Sequence, residues 1–158
     1  MRAVSREGGK EELLYGPFYY TIVLILTTLL FWRESPVGFL VVSIMCGGDG
    51  VADIVGRRLG KDGKKWPKPF DERKSFAGSV AMVIAGFIFT LCLTHLFGIM
   101  GYFPNNHTFG GPDDFGYYVV VFFVCFSCAV VEALPASTVD DNISVATVAA
   151  VLGSLAFL

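Results

Sequence analysis

The chain has 158 residues, 54% of them hydrophobic and only 16% charged, where a soluble globular domain carries roughly a quarter charged. That length supports one domain, and the apolar content exceeds what a water-soluble core of this size can hide. Disorder, a collagenous repeat and nucleic-acid binding are excluded, and the formal net charge of −2 averages 12 basic against 14 acidic residues whose placement carries the information.

The first twelve residues mix Arg2, Arg6 and Lys10 with Glu7, Glu11 and Glu12. This is neither a signal-peptide n-region nor an acid-poor transit peptide. No targeting segment is legible, and the abrupt start leads to the expectation that the chain is a piece of a larger helical bundle. A helix that crosses a bilayer needs roughly 20 largely uncharged residues. Residues 13–32 carry no charge, and 36–58 are apolar up to Gly56 except for Asp49 and Asp53. Residues 76–103 are interrupted only by His95, 115–135 only by Glu132, and 142–158 are uncharged and slightly short. The runs are apolar on every side, which a soluble bundle with polar helix faces would not be. They predict an all-α, polytopic membrane protein of about five transmembrane helices, forming a single integral membrane domain over 1–158. Cys46, Cys92, Cys125 and Cys128 all fall inside these runs and read as packing residues of lipid-facing or buried helices, the CxxC spacing of the last two included. His95 reads as a packing histidine.

Lysine and arginine in short loops stay on the untranslocated side. Eight of the twelve bases lie between Arg57 and Lys74, whereas residues 101–114 have none. With the basic loop 57–74 inside, the N-terminus is inside as well, and residues 135–141 return to the same face. Glu132, Asp140 and Asp141 then emerge beside the basic loop.

Carboxylates within a membrane helix cost several kcal/mol unless they meet cations, water or one another. Asp49 and Asp53, four residues apart in CGGDGVADIVGRRLG, share a helical face with Gly56 and Gly60. Glycine there admits close approach of a ligand or of another backbone. Two carboxylates on one face suit magnesium, a hard cation that shares oxygen ligands with phosphates, and the basic loop supplies phosphate-binding charge. Walker and soluble-kinase signatures are absent. The pattern therefore points to a metal and polyphosphate site facing a membrane-dissolved substrate.

Three blocks in order, CGGDGVADIVGRRLG, RKSFAGS at Arg73–Ser79 and VEALPASTVDDNIS at Val131–Ser144, resemble the phytol kinase and farnesol kinase group of the polyprenol kinase family, related to the CTP-using dolichol kinase. The resemblance runs from about Gly16 to Ala150. It implies phosphorylation of a long-chain isoprenoid alcohol (phytol, geranylgeraniol or farnesol) to its monophosphate with CTP as donor, in a plastid membrane for a phytol kinase or the endoplasmic reticulum for a farnesol kinase, the former favoured; the carboxylate pair adds Mg2+ as cofactor. It is similar at a distance to phosphatidate cytidylyltransferases, but Ala77 stands where those enzymes carry an acidic residue, which favours the kinase. On this resemblance Asp49 and Asp53, with Asp140, are expected to hold the metal. Arg57, Arg58, Lys74, Ser75, Gly78, Asp141 and Asn142 are expected on nucleotide and phosphates, and Asp49, Asp53, Lys74 and Glu132 in catalysis. Phe18, Tyr19, Tyr20, Phe87 and Phe89 are candidates for a prenyl groove. Two other readings stay open: a cytidylyltransferase-like enzyme, and an ion or proton carrier that uses Asp49, Asp53 and Glu132.

Overall fold

The computed structural model describes residues 10–31 (10–14 by backbone alone), 35–59, 63–72, 74–103, 114–135 and 140–157. Among them are five helices: α1 Lys10–Phe31, α2 Pro36–Leu59, α3 Phe76–Ile99, α4 Phe115–Glu132 and α5 Asp141–Phe157. The described residues form no strand beyond one isolated antiparallel bridge, Lys65 with Ser75. The all-α membrane class expected from the sequence is thus observed. By length and composition α2, α3 and α4 can each cross a bilayer, while Tyr15–Phe31 of α1 and the whole of α5 are shorter apolar helices.

Local chemistry sets the helix ends. Ser35 caps α2, its hydroxyl accepting the Val37 N–H at 3.1 Å, and Pro36 follows with its ring pre-set for a first helical turn. The third helix, expected to reach residue 103, stops at Ile99. Gly101 takes the left-handed conformation (φ +74°), and the Gly101 and Tyr102 N–H groups bond back to the carbonyls of Gly98 and Phe97 at 3.0 and 3.1 Å. Only a residue without Cβ closes a helix in this way at no steric cost. The fourth helix, expected to run to Pro135, ends at Glu132 with the Ala133 and Leu134 N–H groups folded back onto Ala129 and Val131.

Within α2 the stretch Ser43–Asp49 is π-helical, one wider turn inside an otherwise α-helical rod. It brings the Gly47–Gly48 backbone against α3: a Cβ on Gly48 would stand 3.2 Å from the Met82 carbonyl oxygen and 3.5 Å from Gly86 Cα. Membrane helices associate through such small-residue contacts because lipid supplies no hydrophobic force between them. Around α2 pack α3, α5 and α1, with α4 bridging α3 and α5. Leu40, Val41, Ile44, Met82, Val121 and Cys128 lie at the centre. The outer surface is as apolar as the core, with Leu29, Leu30, Ile84, Ile88, Phe123 and Leu155 all more than half exposed. Hydroxyls of Thr21, Thr28, Thr90, Thr94, Ser127 and Thr147 donate to carbonyls four residues back at 2.7–2.8 Å, so these polar groups are satisfied within their own helices. Cys125 and Cys128 are buried and Cys46 and Cys92 lie on the outer surface, the two placements expected of packing residues in lipid-facing or buried helices. His95 is also exposed, on the outer face of α3, which corrects its reading as a packing residue.

Candidate active site at the basic end of the bundle

The last turns of α2, the segment leading into α3, the end of α4 and the start of α5 come together at one end of the bundle. Residues 63–72 and 74–75 fold back on themselves. Phe76 N–H donates to the Lys64 carbonyl at 3.0 Å and Trp66 N–H to the Lys74 carbonyl at 3.4 Å. Trp66 anchors the fold, its indole N–H donating to Ser79 Oγ at 2.9 Å and its ring packing on Phe70 and Phe76 at centroid distances of 4.7 and 5.3 Å. Asp71 N–H donates to the Ala133 carbonyl at 3.0 Å, docking the segment onto the end of α4.

Lys74 is the centre of this end. Only 9% exposed, it donates through Nζ to Glu132 and, at 2.8 Å, to Asp141 Oδ2. One ammonium therefore ties α4 and α5 to the segment before α3. Burial, the largest single influence on this group, pulls its pKa down. The charge of Glu132, hydrogen bonds to both carboxylates and the charge of Asp141 outweigh it together, and the pKa ends above the ordinary lysine value. Ser75 caps α3 by accepting the Gly78 N–H at 3.1 Å. Gly56 of α2 meets this cap: a Cβ there would lie 3.2 Å from Ser75 Oγ. Of the two uses of glycine expected on the acidic face, Gly56 therefore serves approach of another backbone. Gly78 is buried in the same contact with its N–H engaged.

One turn before Gly56, Asp53 receives a two-pronged bond from Arg57, Nε to Oδ1 at 2.9 Å and a terminal nitrogen to Oδ2 at 2.8 Å. Both side chains are partly open to solvent, at 33% and 48%. Arg58 is exposed beside them. Asp49 is half-buried, one turn further into the bundle, on the side of α2 where Tyr20 of α1 donates its hydroxyl to Cys46 Sγ at 2.7 Å. Asp140 caps α5: its Oδ1 accepts the Asn142 backbone N–H at 2.9 Å and the Asn142 side-chain amide at 2.8 Å. Gly60 and Arg73 lie outside the described residues.

The structure thus joins Lys74, Glu132 and Asp141 directly, sets Ser75 and Gly78 against Gly56, and pairs Asp53 with Arg57. It does not draw Asp49, Asp53 and Asp140 into one cluster: among the described residues no three acidic, histidine or cysteine side chains converge as a ready-made metal cage. Asp49 and Asp53 remain a two-carboxylate donor set, the kind that holds magnesium when phosphates complete the shell.

A cavity of about 480 Å3 lies at the opposite end, between the end of α1, the start of α2 and the end of α3. None of the aromatics expected to line a prenyl groove borders it. Phe18 and Phe89 face outwards, the Phe89 ring also lying over Gly47, and Phe87 packs edge-on to Phe122 at 6.3 Å. The walls are instead residues such as Thr27, Phe39, Val42, Phe97 and Tyr102, which carry no charge or motif that a sequence reading could seize on.

Fold and site together define an all-α membrane protein with an ordered acid–base cluster at one end of its bundle. No family model matches the chain, and no solved structure does. Relatives are clear nonetheless. The chain is 41% identical to the probable phytol kinase 1, chloroplastic, of Glycine max over 92% of its own length and 45% of the relative's. It is 40% identical to phytol kinase 1, chloroplastic, of Arabidopsis thaliana over 92% of itself and 44% of that protein. It is 36% identical to the farnesol kinase, chloroplastic, of the same plant over 99% of itself and 48% of that protein. The chain spans about half the length of the curated relatives it matches. Along nearly all of its own length it is homologous to the phytol kinase and farnesol kinase group.

Proposed function

We propose that this chain carries the phosphoryl-transfer end of a plastid-membrane kinase that converts a long-chain isoprenoid alcohol to its monophosphate with CTP as donor. The observation that supports this reading is the convergence of three separate sequence blocks: Arg57 and Gly56 from the first, Lys74, Ser75 and Gly78 from the second, Glu132 and Asp141 from the third. Nothing in the packing of an apolar bundle requires charged residues of all three to lie at one end.

In the reaction the alcohol oxygen forms a bond to the γ-phosphorus of the donor. The bond from that phosphorus to the bridging oxygen breaks, CDP leaves, and the hydroxyl proton passes to water at the membrane face. Such transfer depends on positioning and charge neutralisation more than on covalent help from the protein. Asp49 and Asp53 would hold Mg2+, which when bound neutralises charge on the transferring phosphoryl group. Arg57 can exchange Asp53 for a donor phosphate at small cost, since an exposed pair at this spacing contributes only about 0.3–0.5 kcal/mol. Arg58 adds a second exposed cation. Lys74, engaged by Glu132 and Asp141, acts by holding α4, α5 and the Ser75 cap in register.

The test is a comparison of γ-labelled CTP and ATP in membranes containing the protein, with phytol, geranylgeraniol and farnesol as acceptors. Prenyl monophosphate formed from CTP and lost on Asp53→Asn is the expected result. CDP-lipid made from phosphatidate with no prenyl phosphate would transfer the site to a cytidylyltransferase, and nucleotide-independent ion flux in liposomes to a carrier.

A further inference from the structure

The cavity remote from the charges is not used by the chemistry above. It is a half-open space bordered by helices that also carry the site: the start of α2 and the end of α3, whose other ends hold Asp53 and Ser75, and the end of α1, whose Tyr20 reaches Cys46 beside Asp49. Its volume, about 480 Å3, lies within the range of small-molecule sites, roughly 300–1,000 Å3. The walls are apolar. Of its threonines, Thr28 already spends its hydroxyl on the Leu24 carbonyl at 2.8 Å, so the surface offers little to a polar ligand.

One wall of this space is built of rings packed tilted or edge-on against one another. Phe97 lies 4.6 Å from Phe39 and 5.3 Å from Tyr102, centroid to centroid, with Phe103 edge-on to Phe39 at 5.7 Å. Aromatic side chains locked by one another form a stop that a flexible chain cannot push aside cheaply. Val42 on the cavity wall and Asp53 stand eleven positions apart on α2, at most about 16 Å along the axis because the wider π-helical turn between them rises less per residue, roughly the span of three isoprene units. Along the α1–α2 seam the Tyr20–Cys46 contact lies between the two levels.

We infer that this cavity seats the tail of the isoprenoid alcohol, with the Phe39–Phe97–Tyr102 ring cluster as an end stop that sets the longest chain accepted. The inference rests on the prenol-kinase reading for the identity of the occupant. Its occupant is an apolar chain attached to a hydroxyl held at the acidic level of α2.

The test uses the full chain in proteoliposomes and a farnesol analogue with a photoreactive diazirine on its terminal isoprene unit. Labelled residues are mapped by peptide mass spectrometry. Label on the Thr27, Val42, Leu93 or Phe97 peptides, competed by geranylgeraniol, is the expected result. Val42→Phe and Leu93→Phe fill the cavity from different helices, and each should cut labelling and the use of geranylgeraniol relative to farnesol by about tenfold or more. Label confined to lipid-facing positions such as Phe123 and Phe126, or unchanged in a folded filling variant, overturns the inference. Should both variants lose their helical signal, the label map of the unaltered chain decides alone. Tail labelling in the cavity without phosphoryl transfer would leave the pocket standing and remove the kinase reading. Transfer with the label elsewhere would do the reverse.

Discussion

Lys74 and Asp141 stand 67 positions apart in the chain, and their side chains meet at 2.8 Å. Glu132 shares the same ammonium, 58 positions from it, and both Lys74 and Glu132 are withdrawn from solvent. A cation so placed contributes most through what its loss leaves behind. Lys74→Met would strand Glu132 as a buried, uncompensated carboxylate and should cost about 3–5 kcal/mol, read as a lower midpoint of unfolding in detergent. Adding Glu132→Leu to Lys74→Met removes the stranded charge and should restore much of that stability. A double variant no more stable than Lys74→Met would show that the triad does not act as a unit.

Alkaline pH offers an independent measure of the same contact. The folded-state pKa of Lys74 is raised above the ordinary 10.5 because its two carboxylates together outweigh burial. A lysine raised on folding contributes stability that is fully present below its unfolded pKa and is lost as pH rises through the folded value. Stability traceable to this group should therefore be constant from neutrality to about pH 10 and fall only above 10.5. Lys74→Met should remove that alkaline limb. A fall beginning near pH 8 that vanishes in Lys74→Met would contradict the raised value.

Much of the architecture was legible in the sequence, because bilayer thickness and hydropathy leave few alternatives for long uncharged runs. The ends of α2 and α5 and the gathering of charge at one end all followed from composition and topology. The Lys74–Glu132–Asp141 contact was foreshadowed only as a shared face, since the choice of partner depends on where α4 and α5 stop. Asp140 carries the same charge as Asp141, yet it caps a helix one position earlier while its neighbour turns to Lys74. The helical wheel placed Gly56 on the acidic face but could not say whether ligand or backbone would fill the gap. The π-helical turn at Ser43–Asp49 escapes any period-based reading, and the tail cavity is built from residues that look like ordinary core.

The α2–α3 contact makes opposite predictions for two glycines. At Gly78 a Cβ would stand 3.1 Å from Ser75 Oγ and 3.2 Å from the Ala52 carbonyl oxygen, and a carbonyl within a helix cannot give way alone. Gly78→Ala should cost about 1–3 kcal/mol through overpacking. Gly50 is exposed with nothing within 4 Å of a new Cβ, and its φ of −59° is helical. Gly50→Ala should therefore gain about 0.5–1 kcal/mol by stiffening the unfolded chain. Thermal midpoints moving the same way in both variants would show that backbone entropy, not contact, governs this helix pair.

Asp53 and Arg57 separate activity from stability in a way Lys74 cannot. Their bond is two-pronged but partly open to solvent, so its loss should shift stability by no more than about 0.5 kcal/mol. If Asp53 holds the metal and Arg57 moves to the donor phosphate, each should matter far more to turnover. Asp53→Asn should lower kcat by about 10²-fold or more, the scale on which a single well-placed electrostatic group contributes to a transition state. Arg57→Lys keeps the charge but loses the fork that binds carboxylate or phosphate through two N–H groups, so it should fall between Arg57→Ala and the unaltered chain. These rates belong beside a melting curve for each variant. Loss of phosphoryl transfer with an unmoved midpoint assigns the pair to the reaction, whereas loss of both in proportion would make Asp53–Arg57 a structural staple of α2.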